Sequence, residues 1–193
     1  MFLKNNIRIY HVWEDDWDFK KDIIKSMILS RLNIIKNKIH ARKCEIRYVD
    51  NTESKKFLND NHLQGATISS IRIGLYYDNE LVSLICFMKK KNNYYDLNRF
   101  VNRKYMIING SFSKLLNFFI KNHSDKIYTF SDNSYSDGGL YEKNGFIIDE
   151  FIKVDYKYVI NNIRYHKFNF RKNNKELLKI YDCGKIKWKY DTN

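Results

Sequence analysis

The sequence has 193 residues, of which 44% are hydrophobic and 16% aromatic, and its formal net charge is +13. A chain of this length can bury the core of one domain without disulfides or a structural metal, and its aromatic content excludes an intrinsically disordered chain. The three cysteines, Cys44, Cys86 and Cys183, contain no CxxC pair, which argues against a zinc ribbon or a disulfide framework.

Reduced thiols favour a cytoplasmic protein, and residues 1–17 show neither a secretory signal nor a membrane span. We therefore expect no membrane partner and no metal site. The positive charge favours binding to nucleic acid, with a membrane surface second. A codon bias toward lysine is the alternative explanation of the charge.

The N-terminal residues predict a strand at 7–13, where apolar and polar residues alternate, and then a helix from Phe19 to Leu32, where apolar residues recur at helical spacing. Between them lies an acidic cluster at residues 14–18. We interpret this cluster as capping of the helix, with a metal-binding site as the alternative.

Residues 39–49 predict a basic strand, and residues 50–62 predict a short helix capped by Asn51 or Thr52. The central residues then alternate strands with helices. The predicted elements are strands at 71–77, 81–88 and 94–101, a helix opened by Asn109–Gly110–Ser111, a strand at 126–130, a short helix at 140–143 that ends at Asn144–Gly145, and a strand at 146–151.

The C-terminal residues predict a hairpin with strands at 156–159 and 164–168, which turns at Asn161–Asn162. A short helix is predicted near 175–180 and a last strand at 186–190. Along the basic stretch from Arg164 to Lys172, alternation predicts that four side chains share one strand face: Arg164, His166, Phe168 and Phe170.

These elements predict a mixed α/β fold (α+β mixed sheet), with a central sheet flanked by helices. Residues 1–50 form a strand-helix-strand appendage in this prediction, residues 51–155 form the core, and residues 156–193 form a basic extension, with its β-hairpin, packed on the core.

Two segments within residues 55–152 carry a family resemblance, Gly110–Leu116 and Leu140–Phe146. The sequence here resembles the GNAT acyltransferase superfamily. The resemblance implies that the helix after Gly110 holds the pyrophosphate of acetyl-CoA or another acyl-CoA, and that the Tyr141 phenol protonates the sulfur leaving group. The cofactor-binding residues implied are Asn109, Gly110, Ser111, Phe112, Ser113 and Lys114.

The chain departs from the usual phosphate loop of that superfamily, which has a basic or Gln residue and two glycines close together. Here only Gly110 is present, and Phe112 stands where a small residue is usual. An ordinary helix cap is the alternative interpretation of Gly110.

Three further segments narrow the resemblance: Asp96–Phe100, Tyr128–Asp132 and Gly138–Tyr141. They look like the phage Mom-type proteins, which are GNAT-like and modify adenine in DNA. This resemblance implies that Asp132 orients or deprotonates an amine, beside Tyr141 as the second catalytic residue. The alternatives are a turn residue for Asp132 and a core tyrosine for Tyr141.

The two ends show another resemblance. Segments Val12–Trp17, Arg164–Phe168 and Ile180–Gly184 look like parts of phage homing endonucleases with a Vsr-like fold. The nuclease core of such a protein would lie before residue 1, so we expect no nuclease activity.

The sequence therefore supports three hypotheses. The first is a phage-type GNAT-fold transferase that acylates a base amine of nucleic acid, with DNA favoured over RNA. The second is a catalytically inactive GNAT-like module that helps a phage protein to bind DNA, and the third is a phage protein that binds a protein partner. The predicted nucleic-acid contacts are Arg99, Arg103, Lys104, Arg164, His166, Lys167, Arg171 and Lys172.

Overall fold

The computed structural model describes residues 9–91, 94–123, 126–170 and 177–191. Its helices are α1 (Glu14–Arg31), α2 (Asn51–Asn61), α3 (Ser111–Asn122) and α4 (Gly139–Glu142), with 3₁₀ turns at Ala41–Lys43 and Lys167–Asn169. No helix among these residues has both the length and the apolar character needed to cross a bilayer.

The strands follow in chain order. They are β1 (Lys38–His40), β2 (Glu45–Tyr48), β3 (Ile71–Tyr77), β4 (Glu80–Lys90), β5 (Tyr94–Asn102), β6 (Ile107–Asn109), β7 (Lys126–Asp132), β8 (Ile147–Ile152), β9 (Tyr156–Ile160), β10 (Ile163–His166), β11 (Leu178–Tyr181) and β12 (Lys185–Tyr190).

The contacts divide the chain into two compact units. The central unit comprises residues 21–129 and 189–193, and the C-terminal unit comprises residues 1–20 and 130–188. Strand β7 runs from the first unit into the second. The three sequential segments expected from the sequence remain a prediction.

The central unit is built on a mixed sheet in the order β2-β3-β4-β5-β7. The first four strands are antiparallel neighbours, and β7 joins β5 in parallel. The register between β4 and β5 shifts where Cys86 pairs with Arg99 and Phe87 with Leu97, which leaves Asn98 as an extra residue. Asn98 is therefore a β-bulge, a feature that bends a strand and increases its twist.

Helix α3 packs on β3 and β4 of this sheet. The ring of Phe119 stacks on that of Phe87 with centroids 3.6 Å apart, and Tyr95 meets Phe119 edge-on at 5.0 Å. Helix α2 packs on β4 and β5, where Leu58 is fully buried. The apolar spacing that predicted α3 thus becomes the contact that holds it against the sheet.

In the C-terminal unit, β12 lies between β7 and β8. A separate three-stranded sheet has the order β10-β9-β11. Its hairpin turns at Asn161 and Asn162, whose φ values of 49° and 60° are those of a tight hairpin turn. The predicted mixed α/β class and the predicted hairpin are both confirmed.

The predicted N-terminal strand is wrong over its described residues, because 9–13 form no strand and α1 already begins at Glu14. The acidic residues therefore form the first turn of the helix, where their charge suits the helix dipole. The expected cap of α2 is also corrected: the Asp50 side chain accepts hydrogen bonds from the backbone N–H groups of Thr52 and Glu53, at 2.7 and 2.9 Å.

The single strand predicted at 39–49 is wrong, since the 3₁₀ turn Ala41–Lys43 divides it into β1 and β2. The helix predicted at 175–180 is wrong from residue 178 onward, because β11 pairs with β9 there, and residues 171–176 lie outside the described part of the chain. The second hairpin strand ends at His166, so the expected face with Phe168 and Phe170 does not form.

Candidate functional site

Gly110 begins α3 in the left-handed conformation, with φ 78° and ψ 11°. A Cβ added here would meet no atom within 4 Å, so the glycine borders open space. Asn109 and Gly110 are both exposed. The start of a helix directs its first N–H groups and the positive end of its dipole outward, which suits an anion.

A partly buried hydrogen-bond network fixes this helix start to the end of β5. The Ser111 hydroxyl donates to Oδ1 of Asn102 at 3.0 Å, and the Ser83 hydroxyl donates to the same oxygen at 2.7 Å. Sequence reasoning missed Asn102, because the three residues come together only through the strand register.

Two of the predicted cofactor-binding side chains make contacts within the protein instead. Phe112 is buried and meets the ring of Phe100 edge-on at 4.9 Å, so it belongs to the core. The Lys114 ammonium donates to the carbonyls of Ala41 and Cys44, at 2.9 and 2.6 Å. These side chains anchor the helix, which leaves Asn109 and Gly110 as the exposed members of the predicted set, with Ser113 half-buried.

The 3₁₀ turn that Lys114 of α3 contacts carries two cations. Strands β1 and β6 are parallel, with His40 opposite Asn109, so the residues that follow both strands reach the same edge. The bonds of Lys114 to the 3₁₀ turn hold the two segments together. Arg42 and Lys43 on that turn are exposed. The strand predicted at 39–49 did not indicate that they lie on a turn packed against α3.

The ladder between β5 and β7 ends early. Within the described residues it joins only Tyr94–Asp96 to Lys126–Tyr128, although β5 continues to Asn102. Directly after the ladder, the buried Thr129 hydroxyl donates to the Leu97 carbonyl at 2.9 Å. The bulge at Asn98 follows at once, held by a 2.9 Å bond from its amide to the Ile68 carbonyl. Bulges of this kind are frequent next to active sites.

In the C-terminal unit, Asp132 ends β7 and begins a turn. Its Oδ1 accepts a hydrogen bond from the Ser134 N–H at 2.9 Å, and its carbonyl accepts from the N–H of Ser136 at 2.9 Å. Asp132 therefore acts as a turn residue, which is the alternative considered from the sequence. The turn uses one of its two carboxylate oxygens, and the side chain is half-buried.

Tyr141 lies on α4, half-buried, with its ring tilted against those of Phe146 and Trp188 at 5.6 and 6.0 Å. The N-cap of this helix is Gly138, which has the left-handed conformation and lies against the Trp188 indole. The Tyr141 ring therefore packs against other aromatic rings, as expected for the alternative of a core tyrosine.

The phenol of Tyr135 is the second one near Asp132. Burial, followed by the charge of Asp132, raises the pKa of the Tyr135 phenol well above its usual value. The Ser134 hydroxyl is buried and has no hydrogen-bond partner among the described atoms. Burial, followed by the positive charge of Arg164, lowers the pKa of Lys157, and the Asp132 carboxylate acts weakly in the opposite direction. Sequence reasoning missed Tyr135 and Lys157.

The acidic cluster binds an arginine. The Arg164 guanidinium donates to Asp15 and Asp16, both at 2.6 Å, and lies 4.8 Å from the ring centroid of Trp13. The side chains of this triad are only 11–16% exposed. Arg164 therefore binds the N-terminus of α1, and its guanidinium already forms ion pairs with two carboxylates.

The other predicted nucleic-acid contacts belong to different units. Arg99 and Arg103 of the central unit bond to backbone carbonyls, and Arg103 also pairs with Glu80; Lys104 is half-buried in the same unit. In the C-terminal unit, Lys167 pairs with Asp155 at 2.7 Å and His166 stacks on Phe168. Arg171 and Lys172 lie outside the described residues. The predicted nucleic-acid set remains a prediction.

No family model matches the sequence, and no curated protein matches it. Solved structures do. An acetyltransferase of the streptothricin type from Bacillus anthracis, in complex with acetyl coenzyme A, aligns with a TM-score of 0.51 and 14% identity over 78% of this chain and 99% of the other. An acetyltransferase assigned to the GNAT family from Desulfovibrio desulfuricans aligns with a TM-score of 0.52 and 12% identity, over the same shares. The chain has the GNAT fold, as its sequence predicted.

Proposed function

We propose that this chain is a GNAT-fold acyltransferase that uses an acyl-CoA as donor and an amine of nucleic acid as acceptor. The observation that carries the proposal is the start of α3. Gly110 begins the helix and borders open space, and the 3₁₀ turn that Lys114 of this helix contacts carries two exposed cations. The bulge lies on β5, which precedes β6 and the helix in sequence. The likeness in fold to a protein solved with acetyl coenzyme A supports the same donor.

The donor has two parts that these features suit. Its phosphates are anions, for which the start of α3 offers N–H groups and Arg42 and Lys43 offer positive charge. Its pantetheine arm carries amides. These can form hydrogen bonds with the backbone of a strand where the pairing with its neighbouring strand has ended. Residues Leu97–Asn102 of β5 are the part of that strand beyond its described ladder with β7.

The proposed reaction transfers an acyl group from sulfur to nitrogen. The acceptor amine attacks the thioester carbonyl, a C–N bond forms and the C–S bond breaks. The amine proton passes to a base, for which we propose the Asp132 carboxylate, and the departing sulfur takes a proton from the Tyr141 phenol. These two roles follow from the motif resemblance, and both side chains are half-buried in the C-terminal unit.

The acceptor class rests on the Mom-type resemblance of Asp96–Phe100, Tyr128–Asp132 and Gly138–Tyr141, and on the net charge of +13. A cationic protein raises the local concentration of a polyanionic substrate. A base amine must also leave the helix stack before it can react, so single-stranded substrate is favoured.

The proposal is tested by incubating the protein with acetyl-CoA and single-stranded DNA or RNA, and then measuring free CoA and nucleoside masses. We expect acetylated nucleosides in amounts equal to the CoA released. Tyr141→Phe keeps the ring packing and removes the proton donor, so turnover is expected to fall by roughly 10²-fold or more while acetyl-CoA affinity is retained. Unmodified nucleosides with wild-type protein that binds acetyl-CoA would contradict the acceptor class.

The inactive DNA-binding module is a second candidate, favoured by one observation. Phe112 and Lys114 of the predicted phosphate loop are used to anchor the helix. This candidate predicts binding to nucleic acid, no transfer with any acyl-CoA, and no effect of Tyr141→Phe.

A further inference from the structure

The small sheet β10-β9-β11 gathers aromatic and cationic side chains on one face. Tyr156 and Tyr158 alternate on β9, and the register places Tyr181 opposite Tyr156, with Lys179 and Tyr165 on either side of Tyr158. Residues directly opposite each other in antiparallel strands share a face. We call these five residues the aromatic face.

The side chains of the aromatic face contact one another. The ring centroids of Tyr156 and Tyr158 are 5.4 Å apart, and those of Tyr156 and Tyr181 are 6.1 Å apart. The Lys179 ammonium lies 4.8 Å from the Tyr156 centroid. The rings therefore form a connected surface in which a cation lies over the aromatic system.

The outer part of this surface is open. Tyr181 is 58% exposed and Lys179 is exposed, whereas Tyr158 is buried beneath its neighbours. No carboxylate of the described residues forms an ion pair with Lys179. A second cation, Lys167, lies 5.4 Å from the Tyr156 centroid, but Asp155 already neutralises it. The face thus combines an exposed ring with a cation that forms no ion pair within the described part of the chain.

We propose that the aromatic face binds single-stranded nucleic acid. Exposed rings on a sheet stack with unpaired bases, and a cation beside them contacts the phosphates. An apolar partner would not require Lys179, and the net charge of +13 disfavours a basic partner. The inference goes beyond the proposed function, because binding of nucleic acid at this face does not depend on acyl transfer.

The face uses residues outside the set predicted from the sequence. That set included His166 and Arg164, which lie opposite Lys157 and Val159 in the register, and these two residues of β9 point away from Tyr156 and Tyr158. Arg164 on that opposite face is bound to Asp15 and Asp16. The two faces of the small sheet therefore have different roles, one in stability and one in recognition.

The test measures the binding of a fluorescent single-stranded oligonucleotide, of an abasic strand with the same phosphates, and of a duplex. We expect the single strand to bind at least about fivefold more tightly than the abasic strand. Tyr181→Ala is expected to weaken single-strand binding at least about fivefold, and Tyr181→Phe to retain it. Phe151→Ala, at a ring that is 68% exposed on β8, is the matched control and is expected to have no effect.

Lys179→Gln is expected to reduce the slope of log affinity against log salt concentration by about one, as the loss of a single phosphate contact requires. Equal affinity for the abasic strand, preference for the duplex, or an unchanged affinity of Tyr181→Ala would overturn the proposal. Acetyl-CoA binding is measured on the same samples. It is expected to be unchanged in Tyr181→Ala, so failure of this inference is distinguishable from failure of donor binding.

Discussion

Two glycines begin helices in the same left-handed conformation, with different surroundings. Gly110 has φ 78° and Gly138 has φ 79°. A Cβ at Gly110 would meet open space, whereas one at Gly138 would lie 2.0 Å from the Trp188 ring. The first glycine is required by backbone conformation alone, and the second also by close packing.

We therefore predict that Gly110→Ala lowers the free energy of unfolding by roughly 1–2 kcal/mol, the cost of a left-handed alanine. Gly138→Ala is expected to cost at least about 1 kcal/mol more, because the indole must shift as well. Urea denaturation of the two variants measures the difference. Equal losses would contradict the packing of Trp188 on Gly138.

Burial also controls the chemistry of a cysteine. It raises the pKa of the Cys86 thiol from 9.0 to about 11. The folded state therefore favours the protonated thiol. This stabilisation is fully present below pH 9 and is lost as the pH rises through 11.

At pH 10.5 the loss of stability from this thiol amounts to about 2 kcal/mol. Unfolding free energies at pH 8 and pH 10.5 are compared for the wild type and Cys86→Ala. The decrease with pH is expected to be about 2 kcal/mol smaller in the variant, since tyrosine titration is common to both proteins. The same decrease in both would show that the thiol is accessible to solvent.

At the scale of elements, Arg164 links β10 to the first turn of α1. Its guanidinium and the carboxylates of Asp15 and Asp16 are largely buried. A buried pair contributes little net stability, but removing one partner leaves uncompensated charge. The N-terminus of α1 therefore depends on a residue nearly 150 positions away in sequence.

Arg164→Met is expected to lower the free energy of unfolding by about 3 kcal/mol or more. Lys126→Met, which breaks an exposed ion pair with Asp191, is the control and is expected to cost at most about 1 kcal/mol. Adding Asp15→Asn and Asp16→Asn to Arg164→Met is expected to recover part of the loss. No recovery would indicate that the triad acts through packing of the arginine stem.

The elements that the sequence predicted correctly carry strong local signals. The β9–β10 hairpin has two asparagines at positions of positive φ, and α3 has a glycine at its start and a regular apolar face. The failures have tertiary causes. Residues 178–181 form a strand because β9 offers a partner, and residues 14–18, which precede the predicted helix, form a helical turn whose carboxylates bind Arg164.

At the scale of the whole molecule, the mixed α/β class follows from the order of strands and helices, and the resemblance of Gly110–Leu116 and Leu140–Phe146 to the superfamily implied the GNAT fold. The finer parts of the candidate site could not be predicted from the sequence. The bulge at Asn98 and the position of Arg42 and Lys43 beside α3 depend on strand register and on a parallel pair between distant strands. Composition and periodicity do not contain these relations.

The binding of acetyl-CoA to Gly110→Asp and Gly110→Asn, measured by calorimetry, tests the proposed donor site most directly. Both residues tolerate the left-handed conformation and both are good helix caps, so the variants differ mainly in one negative charge. We predict that the wild type and Gly110→Asn bind acetyl-CoA, and that Gly110→Asp binds it at least about tenfold more weakly. No binding to the wild type, or equal binding by the two variants, would contradict a phosphate site at the start of α3.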